Sequence, residues 1–211
     1  MIKAALFDLD GVVLDTETQY TQFWGSQCLR YYPNMPGLEQ KIKGMTLVQI
    51  FDAYFPDAMQ QRTIKSALDV FEERMSYEYI PGFEAFVSDL RARGIGTAVV
   101  TSSNRPKMES VYRKRPDLKG YFDHILTSED FERSKPDPDC YLRAAAAFGV
   151  SPSECVGFED SINGLKSVRA AHIFTVGLAT TNPRERVEPL SDVVVDDFTQ
   201  LKFEMLAQKV G

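Results

Sequence analysis

The feature that most constrains this chain is an alternation. Short apolar runs occupy residues 2–9, 96–101, 122–127, 155–158, 173–176 and 192–195. From about residue 83 onward they are separated by segments of helical periodicity. Runs this short, several rich in Val or Ile, read as buried strands. Within residues 83–93, Phe83, Phe86, Val87 and Leu90 recur at helical spacing, and Gly94 follows as a C-cap. Residues 138–148 follow Asp137, read as an N-cap with Pro138 at the first helical position, and stop at Gly149. Residues 162–171 form another helical segment, and the tail after about Phe198 reads as an amphipathic helix packed on the core. Strand and helix in turn predict an α/β fold, a parallel sheet with helices on both faces.

Residues of about 15–80 interrupt this pattern. No strong strand is visible there. Tyr20, Phe23, Trp24 and Gln27 share helical spacing, as do Ile64, Leu68 and Phe71, and Pro81-Gly82 marks the return to the alternating part. The expectation is a Rossmann-like core of residues 1–14 and 82–211, with an all-helical module of residues 15–81 inserted after the first strand. For most of these aromatics, packing inside the module is the plainer reading.

A chain of 211 residues can bury a sizeable core without staples. Its 24 basic and 30 acidic residues give a net charge of −6, which argues against general binding of nucleic acid or an anionic membrane. A local cationic pocket for an anionic substrate remains compatible with that surface. Cys28, Cys140 and Cys155 are odd in number and widely spaced, so they suggest neither a disulfide framework nor a metal knuckle. The start of the chain is too acidic for a signal peptide, and no stretch approaches the roughly 18 apolar residues of a membrane span. The expected location is the cytoplasm, and a monomer is the plainer expectation. His124 and His172 lack ligand-like partners and read as structural. The run Arg113-Lys114-Arg115 with Lys119 reads as a solvated face.

The chemistry-bearing residues sit where the strands end. Asp8-Leu9-Asp10-Gly11 closes the first run, at the edge of a parallel sheet where ligands bind. In a strand, residues i and i+2 share a face, but here the strand is expected to end near Asp8, so that the pair sits at the carboxyl end of the sheet. Gly11 allows a sharp turn beside the acids. A bare Asp-x-Asp would read as a solvated strand exit. The longer string Asp8-Leu9-Asp10-Gly11-Val12-Val13-Leu14-Asp15-Thr16 resembles the first motif of the haloacid dehalogenase-like superfamily. Three further motifs follow in order: Val99-Val100-Thr101-Ser102, Lys135-Pro136-Asp137-Pro138, and Gly157-Phe158-Glu159-Asp160-Ser161. One motif is a weak signal; four in sequence are a strong one. The helical module resembles the small cap of the β-phosphoglucomutase-like group.

The resemblance implies a phosphoryl-transfer site. Asp8 would be the nucleophile, forming an aspartyl-phosphate. Asp10 would protonate the leaving alkoxide and then activate water. Thr101, with the N–H of Ser102 and the neighbouring Ser103 and Asn104, would hold phosphoryl oxygens. A plain helix N-cap at this loop is a compatible reading. Lys135 would neutralise the nucleophile. Mg²⁺ would be held by Asp8, the backbone carbonyl of Asp10, Glu159 and Asp160, with Glu159 acting directly or through water.

Where mutases of this group carry a histidine after the motif-one threonine, this chain has Tyr20. Where their cap loop carries an arginine after Lys-Gly, it has Leu47 following Lys43-Gly44-Met45-Thr46. Arg105 and Lys107 are displaced from the basic position near Asn104. These departures favour a phosphatase acting on a small phosphorylated metabolite, with sugar phosphates the first class to consider, over a sugar phosphomutase. Lys43 and Gly44 are candidates to reach the cleft, with a solvated loop the equal alternative. Hinges are expected near residues 15–17 and 79–82. Two non-enzyme readings stand beside these, a phosphoacceptor signalling module and a degenerate binding scaffold.

Overall fold

The computed structural model describes residues 1–210. Six strands form one parallel sheet: β1 (Ala4–Phe7), β2 (Gly96–Val100), β3 (His124–Leu126), β4 (Cys155–Glu159), β5 (Phe174–Leu178) and β6 (Val193–Val195). Their spatial order is β3-β2-β1-β4-β5-β6, which puts β1 in the interior between β2 and β4. Helices α1 (Glu17–Tyr31), α2 (Leu38–Lys41), α3 (Leu47–Tyr54) and α4 (Ala58–Arg74) lie between β1 and β2 in the chain. They are followed by α5 (Phe83–Ala92), α6 (Arg105–Lys114), α7 (Asp139–Ala147), α8 (Ile162–Ala170), α9 (Arg184–Val187) and α10 (Phe203–Val210).

Every residue of β1 is buried, because both faces of the sheet are covered. Alternation along the strand sends Ala5 and Phe7 into one core and Ala4 and Leu6 into another. Phe7 stacks on Phe158 at 4.5 Å with an interplanar angle of 6°, and meets Phe83 edge-on at 5.8 Å. The register opposes Phe7 to Val99 on one side and to Phe158 on the other. The carboxyl ends of β1, β2 and β4 are therefore level, and Asp8, Thr101 and Glu159 emerge along one edge.

The inserted helices have a core of their own kind. Phe23 of α1 stacks on Phe71 of α4 at 4.9 Å, and Phe55 receives Trp24, Tyr31 and Tyr32. Thr46 and Gln49 form a reciprocal capping box at the start of α3, and Asp57 caps α4 through the Gln60 N–H. The two connections to this module lie side by side. Leu14 and Tyr79 form an antiparallel bridge, the Asp15 N–H donates to the Glu78 carbonyl at 2.8 Å, and the Ile80 N–H donates to the Val13 carbonyl at 3.0 Å.

Some local expectations hold and others are corrected. The first strand spans four residues within the apolar run 2–9 and ends just before Asp8, as expected, and Asp10 lies in the turn that follows. Helix α7 begins at Asp139, with Pro138 in the N-cap position. Asp137 still serves the helix start, its Oδ1 accepting from the Asp139 N–H at 3.0 Å. His124 opens β3, its ring against Phe148 at 4.7 Å. The basic run is not simply a solvated face: Lys114 Nζ donates to the Met75 carbonyl, and Arg115 lies over the Tyr79 ring at 3.9 Å. Both brace the return connection. The three cysteines are free and buried. No helix among the described residues is long and apolar enough to cross a membrane.

The Phe7 stack makes a testable claim on stability. Phe7→Ala should lower the unfolding free energy by about 3–5 kcal/mol in a urea titration, the range for a buried aromatic truncated in a packed core. A loss below about 1 kcal/mol would show that the site collapses around the smaller residue.

Candidate active site

The site begins where β1 ends. The Asp8 N–H still donates to the Phe158 carbonyl at 3.0 Å, so its backbone continues the ladder by one residue. The chain then closes a tight turn, in which the Val13 and Leu14 N–H groups both donate to the Leu9 carbonyl at 2.9 Å. Gly11 holds φ at +81°, and a Cβ there would stand 2.2 Å from Asp160 Oδ2. Glycine is thus required both by backbone conformation and by the approach of the second acidic loop.

Lys135 occupies the centre. It is 1% exposed, and its Nζ donates to Asp8 Oδ1 at 2.5 Å, Glu159 Oε1 at 2.6 Å and the Val100 carbonyl at 3.0 Å. Burial opposes its charge, but Asp8 and Glu159 raise its pKa well above the ordinary lysine value. A buried lysine with three acceptors is fully satisfied. Glu159 is equally committed. Its Oε1 also accepts from the Tyr141 hydroxyl at 2.9 Å, and its Oε2 from the Ser161 hydroxyl at 3.2 Å and the Asp160 N–H at 3.2 Å.

Asp160 is the exception. Both of its carboxylate oxygens are buried and neither has a hydrogen-bond partner. Burial raises its pKa well above the ordinary range, and Glu17, Glu159 and Asp8 add to the effect. Asp8 is pushed up to about 8, by burial first and then by Glu159 and Asp10, with Lys135 opposing. Asp8, Glu159 and Asp160 each offer an oxygen within 4.8 Å of the others. Crowded, buried carboxylates with orphaned oxygens are the donor set of a hard divalent cation.

The loop after β2 supplies hydroxyls. Thr101 is buried, and its Oγ1 accepts from the Ser103 N–H at 3.0 Å. Ser103 Oγ donates to Asp10 Oδ2 at 3.1 Å. Asn104 caps α6, accepting from the Lys107 N–H at 3.0 Å, so its side-chain oxygen is used structurally although the residue borders the cleft. Ser102 Oγ donates across to the Gly44 carbonyl at 3.2 Å.

That last contact belongs to the inserted module. Lys43 and Gly44 border the same cleft as Asp8 and Asp160. The Lys43 carbonyl accepts from Asn163 Nδ2 at 3.4 Å, and its ammonium stands 3.9 Å from Glu17. Gly44 has φ of +75°, and a Cβ there would lie 2.7 Å from Ser161 Oγ. The 43–44 loop is therefore latched onto α8 and the 101–103 loop, and Lys43 is not a solvated surface residue.

Sequence reasoning assigned no role at the site to Lys107, Glu72, Thr16 or Tyr141, which the structure brings to its acids. Lys107 Nζ pairs with Asp10 Oδ2 at 2.5 Å and lies 4.3 Å from the centre of the Tyr20 ring. With Asn104 as N-cap, Lys107 is one helical turn into α6, and this register was the available signal. Glu72 is buried and accepts from the Tyr20 hydroxyl at 2.9 Å. It continues the spacing Ile64, Leu68, Glu72, so a carboxylate on an apolar stripe was the clue. Thr16 donates to Asp10 Oδ1 at 2.5 Å. Tyr141, beside Glu159, had no local signal.

Sheet and site together define an α/β enzyme fold whose buried acidic cluster, with oxygens close enough to share one cation, lies at the carboxyl edge of the central strands. Residues 2–172 match the family model of haloacid dehalogenase-like hydrolases, and the chain belongs to that family. It is 29% identical over 212 residues to a validoxylamine A 7'-phosphate phosphatase of Streptomyces hygroscopicus subsp. limoneus, covering 96% of this chain and 97% of that one. It is also 29% identical over 184 residues to a phosphorylated carbohydrates phosphatase of Thermotoga maritima, covering 82% of each. The fold resembles that of a β-phosphoglucomutase from Clostridium difficile, with a TM-score of 0.82 at 22% identity, covering 100% of this chain and 97% of that one.

Two outcomes follow. With Asp8 held near 8 in the fold against 3.8 when free, the native state binds more protons than the unfolded state between these values, so stability should fall as pH rises through this window. A divalent cation reverses that cost by binding the ionised form. The cation-induced rise in Tm should therefore be larger at pH 8 than at pH 5, and Asp160→Asn should abolish most of it; equal shifts at both pH values would contradict the linkage. Gly44→Ala should release the latch, seen as faster tryptic cleavage after Lys43 with little change in the urea midpoint.

Proposed function

We propose that this protein is a Mg²⁺-dependent phosphatase of a small phosphorylated metabolite, of the sugar-phosphate class, working through an aspartyl-phosphate on Asp8. The observation that carries the reading is the buried Asp8–Lys135–Glu159 cluster beside the orphaned carboxylate of Asp160. An Asp nucleophile needs a fixed cation to neutralise it and a second charge to draw the phosphoryl group toward it. The named activities of the two phosphatase relatives support the same class of substrate.

In this reading Asp8 attacks phosphorus and the bond to the leaving oxygen breaks. Asp10 gives that oxygen a proton. Asp10 then takes a proton from water as the water attacks the acyl phosphate, which releases inorganic phosphate and restores the Asp8 carboxylate. The Thr101 hydroxyl and the Ser102 N–H hold the equatorial oxygens, since the Thr101 and Ser103 N–H groups already donate to the Leu126 carbonyl and to Thr101 Oγ1, and the hydroxyls of Thr16 and Ser103 orient Asp10. Mg²⁺ would be held by Asp8, Asp160 and the Asp10 carbonyl, supplying charge neutralisation at the phosphoryl oxygens. Glu159 already carries Lys135, Tyr141 and Ser161 on its two oxygens, which favours contact with the cation through water. Residues 15–81 serve as a cap that closes over the substrate and excludes bulk water.

A phosphatase is preferred to a phosphomutase because of the cap side of the cleft. Tyr20 commits its hydroxyl to Glu72, and Leu47 borders the cleft where an arginine would be needed to hold a second phosphate.

Phosphate release from p-nitrophenyl phosphate and from sugar phosphates, with Mg²⁺ and with chelator, tests the reading. Turnover should stop in chelator, and Asp8→Asn should lower it by about three orders of magnitude or more. Asp10→Asn should cost about 10²–10⁴-fold on alkyl phosphates and clearly less on aryl phosphates, whose leaving groups need no proton. Conversion of glucose 1-phosphate to glucose 6-phosphate without phosphate release would replace the phosphatase with the mutase.

A further inference from the structure

The cleft is polarised. Its core pole is organised around Asp8, Asp160 and Lys135, while the opposite wall comes from α1 to α4. That wall places Trp24, Leu47 and Leu68 beside Glu17, Glu39 and Glu72. Two cations, Lys43 and Lys107, border the cleft, and each faces a carboxylate of the protein. Lys107 is paired with Asp10, and Lys43 stands across from Glu17. No arginine borders the cleft.

Glu72 is the informative member of this wall. It is 8% exposed, and what exposure it has opens into the cleft. One carboxylate oxygen accepts from the Tyr20 hydroxyl, while the other has no hydrogen-bond partner among the described residues. Burial raises its pKa, and the Lys107 ammonium opposes that rise. An acceptor that opens onto a cleft can be satisfied by a donor that arrives there. A ligand anion at this place would face the Glu72 carboxylate, and the two lysines that border the cleft already stand against Asp10 and Glu17, a juxtaposition that disfavours binding.

We propose that Glu72 reads the leaving group. The substrate is the monophosphate of a neutral or aminated polyol or sugar, which presents hydroxyl or ammonium donors to Glu72 and carries no anionic group besides the phosphate that is removed. This deepens the phosphatase reading and rests on it.

The experiment compares kcat/KM of the full-length protein with Mg²⁺ on four esters that share a phosphorylated hexose frame: glucose 6-phosphate, glucosamine 6-phosphate, 6-phosphogluconate and fructose 1,6-bisphosphate. p-Nitrophenyl phosphate is run in parallel. The two esters without a second anion should exceed the two with one by about tenfold or more. Glu72→Gln, which keeps the shape and removes the charge, should shrink the ratio of glucosamine 6-phosphate to 6-phosphogluconate by about fivefold. Equal or faster turnover of 6-phosphogluconate or the bisphosphate overturns the proposal, as does aryl phosphate turnover with all four sugar esters equally slow. A ratio unmoved in Glu72→Gln removes Glu72 from the role. If that variant does not fold, the wild-type comparison decides alone. Absence of turnover on every compound, p-nitrophenyl phosphate included, would bring down the phosphatase reading itself and the proposal with it.

Discussion

The structure depends on one buried ammonium. Without Lys135, Asp8 and Glu159 would face each other in a dry interior beside Asp160, and the carboxyl edge of the sheet would carry three crowded acids with no cation among them. Removing one partner of such a buried cluster is far costlier than never having built it. Lys135 also donates to the Val100 carbonyl, so the same side chain ties β2 to the ends of β1 and β4. The charge balance of the acidic cluster and the local architecture therefore share a single atom, Nζ.

Asp160 is left outside this network. Its two oxygens are the buried carboxylate oxygens that the protein does not satisfy, while the neighbouring Glu159 is satisfied completely. Two adjacent acids at the end of β4 thus differ: Glu159 is tied into the fold, and Asp160 keeps two buried oxygens without a partner. Gly11 and Gly164 make the arrangement possible by removing side chains where these acids approach, since a Cβ on Gly164 would fall 1.9 Å from the Glu159 carboxyl carbon.

Much of the fold was legible because parallel strands buried on both faces leave compact apolar runs, and all six runs became strands. Their ends were less legible. Residues 2–9 are apolar beyond Phe7 because Leu9 is buried in the turn, not because it belongs to the strand. The helix after Asp137 began one residue late for a similar reason, as an Asp side chain can serve a helix start from more than one position. At the site, Asp8, Thr101, Lys135, Glu159 and Asp160 lie on short contiguous motifs, and spacing finds those. Lys107, Glu72 and Tyr141 meet their partners across long separations, so helical register and an apolar stripe could mark Lys107 and Glu72 as unusual without naming Asp10 or Tyr20 as what they meet.

The pairing of Leu14 with Tyr79 has a consequence for how such a protein can change. The chain leaves the sheet and returns to it at one point, through two neighbouring extended segments that bond to each other. Everything between those residues is a closed excursion that contributes no strand to the sheet. Its length, helix count and wall chemistry can be rewritten without altering the register of any strand or the placement of Lys135. The fold thus keeps the buried acid-and-lysine cluster on strands and loops that the inserted helices do not build, and the two parts can evolve at different rates.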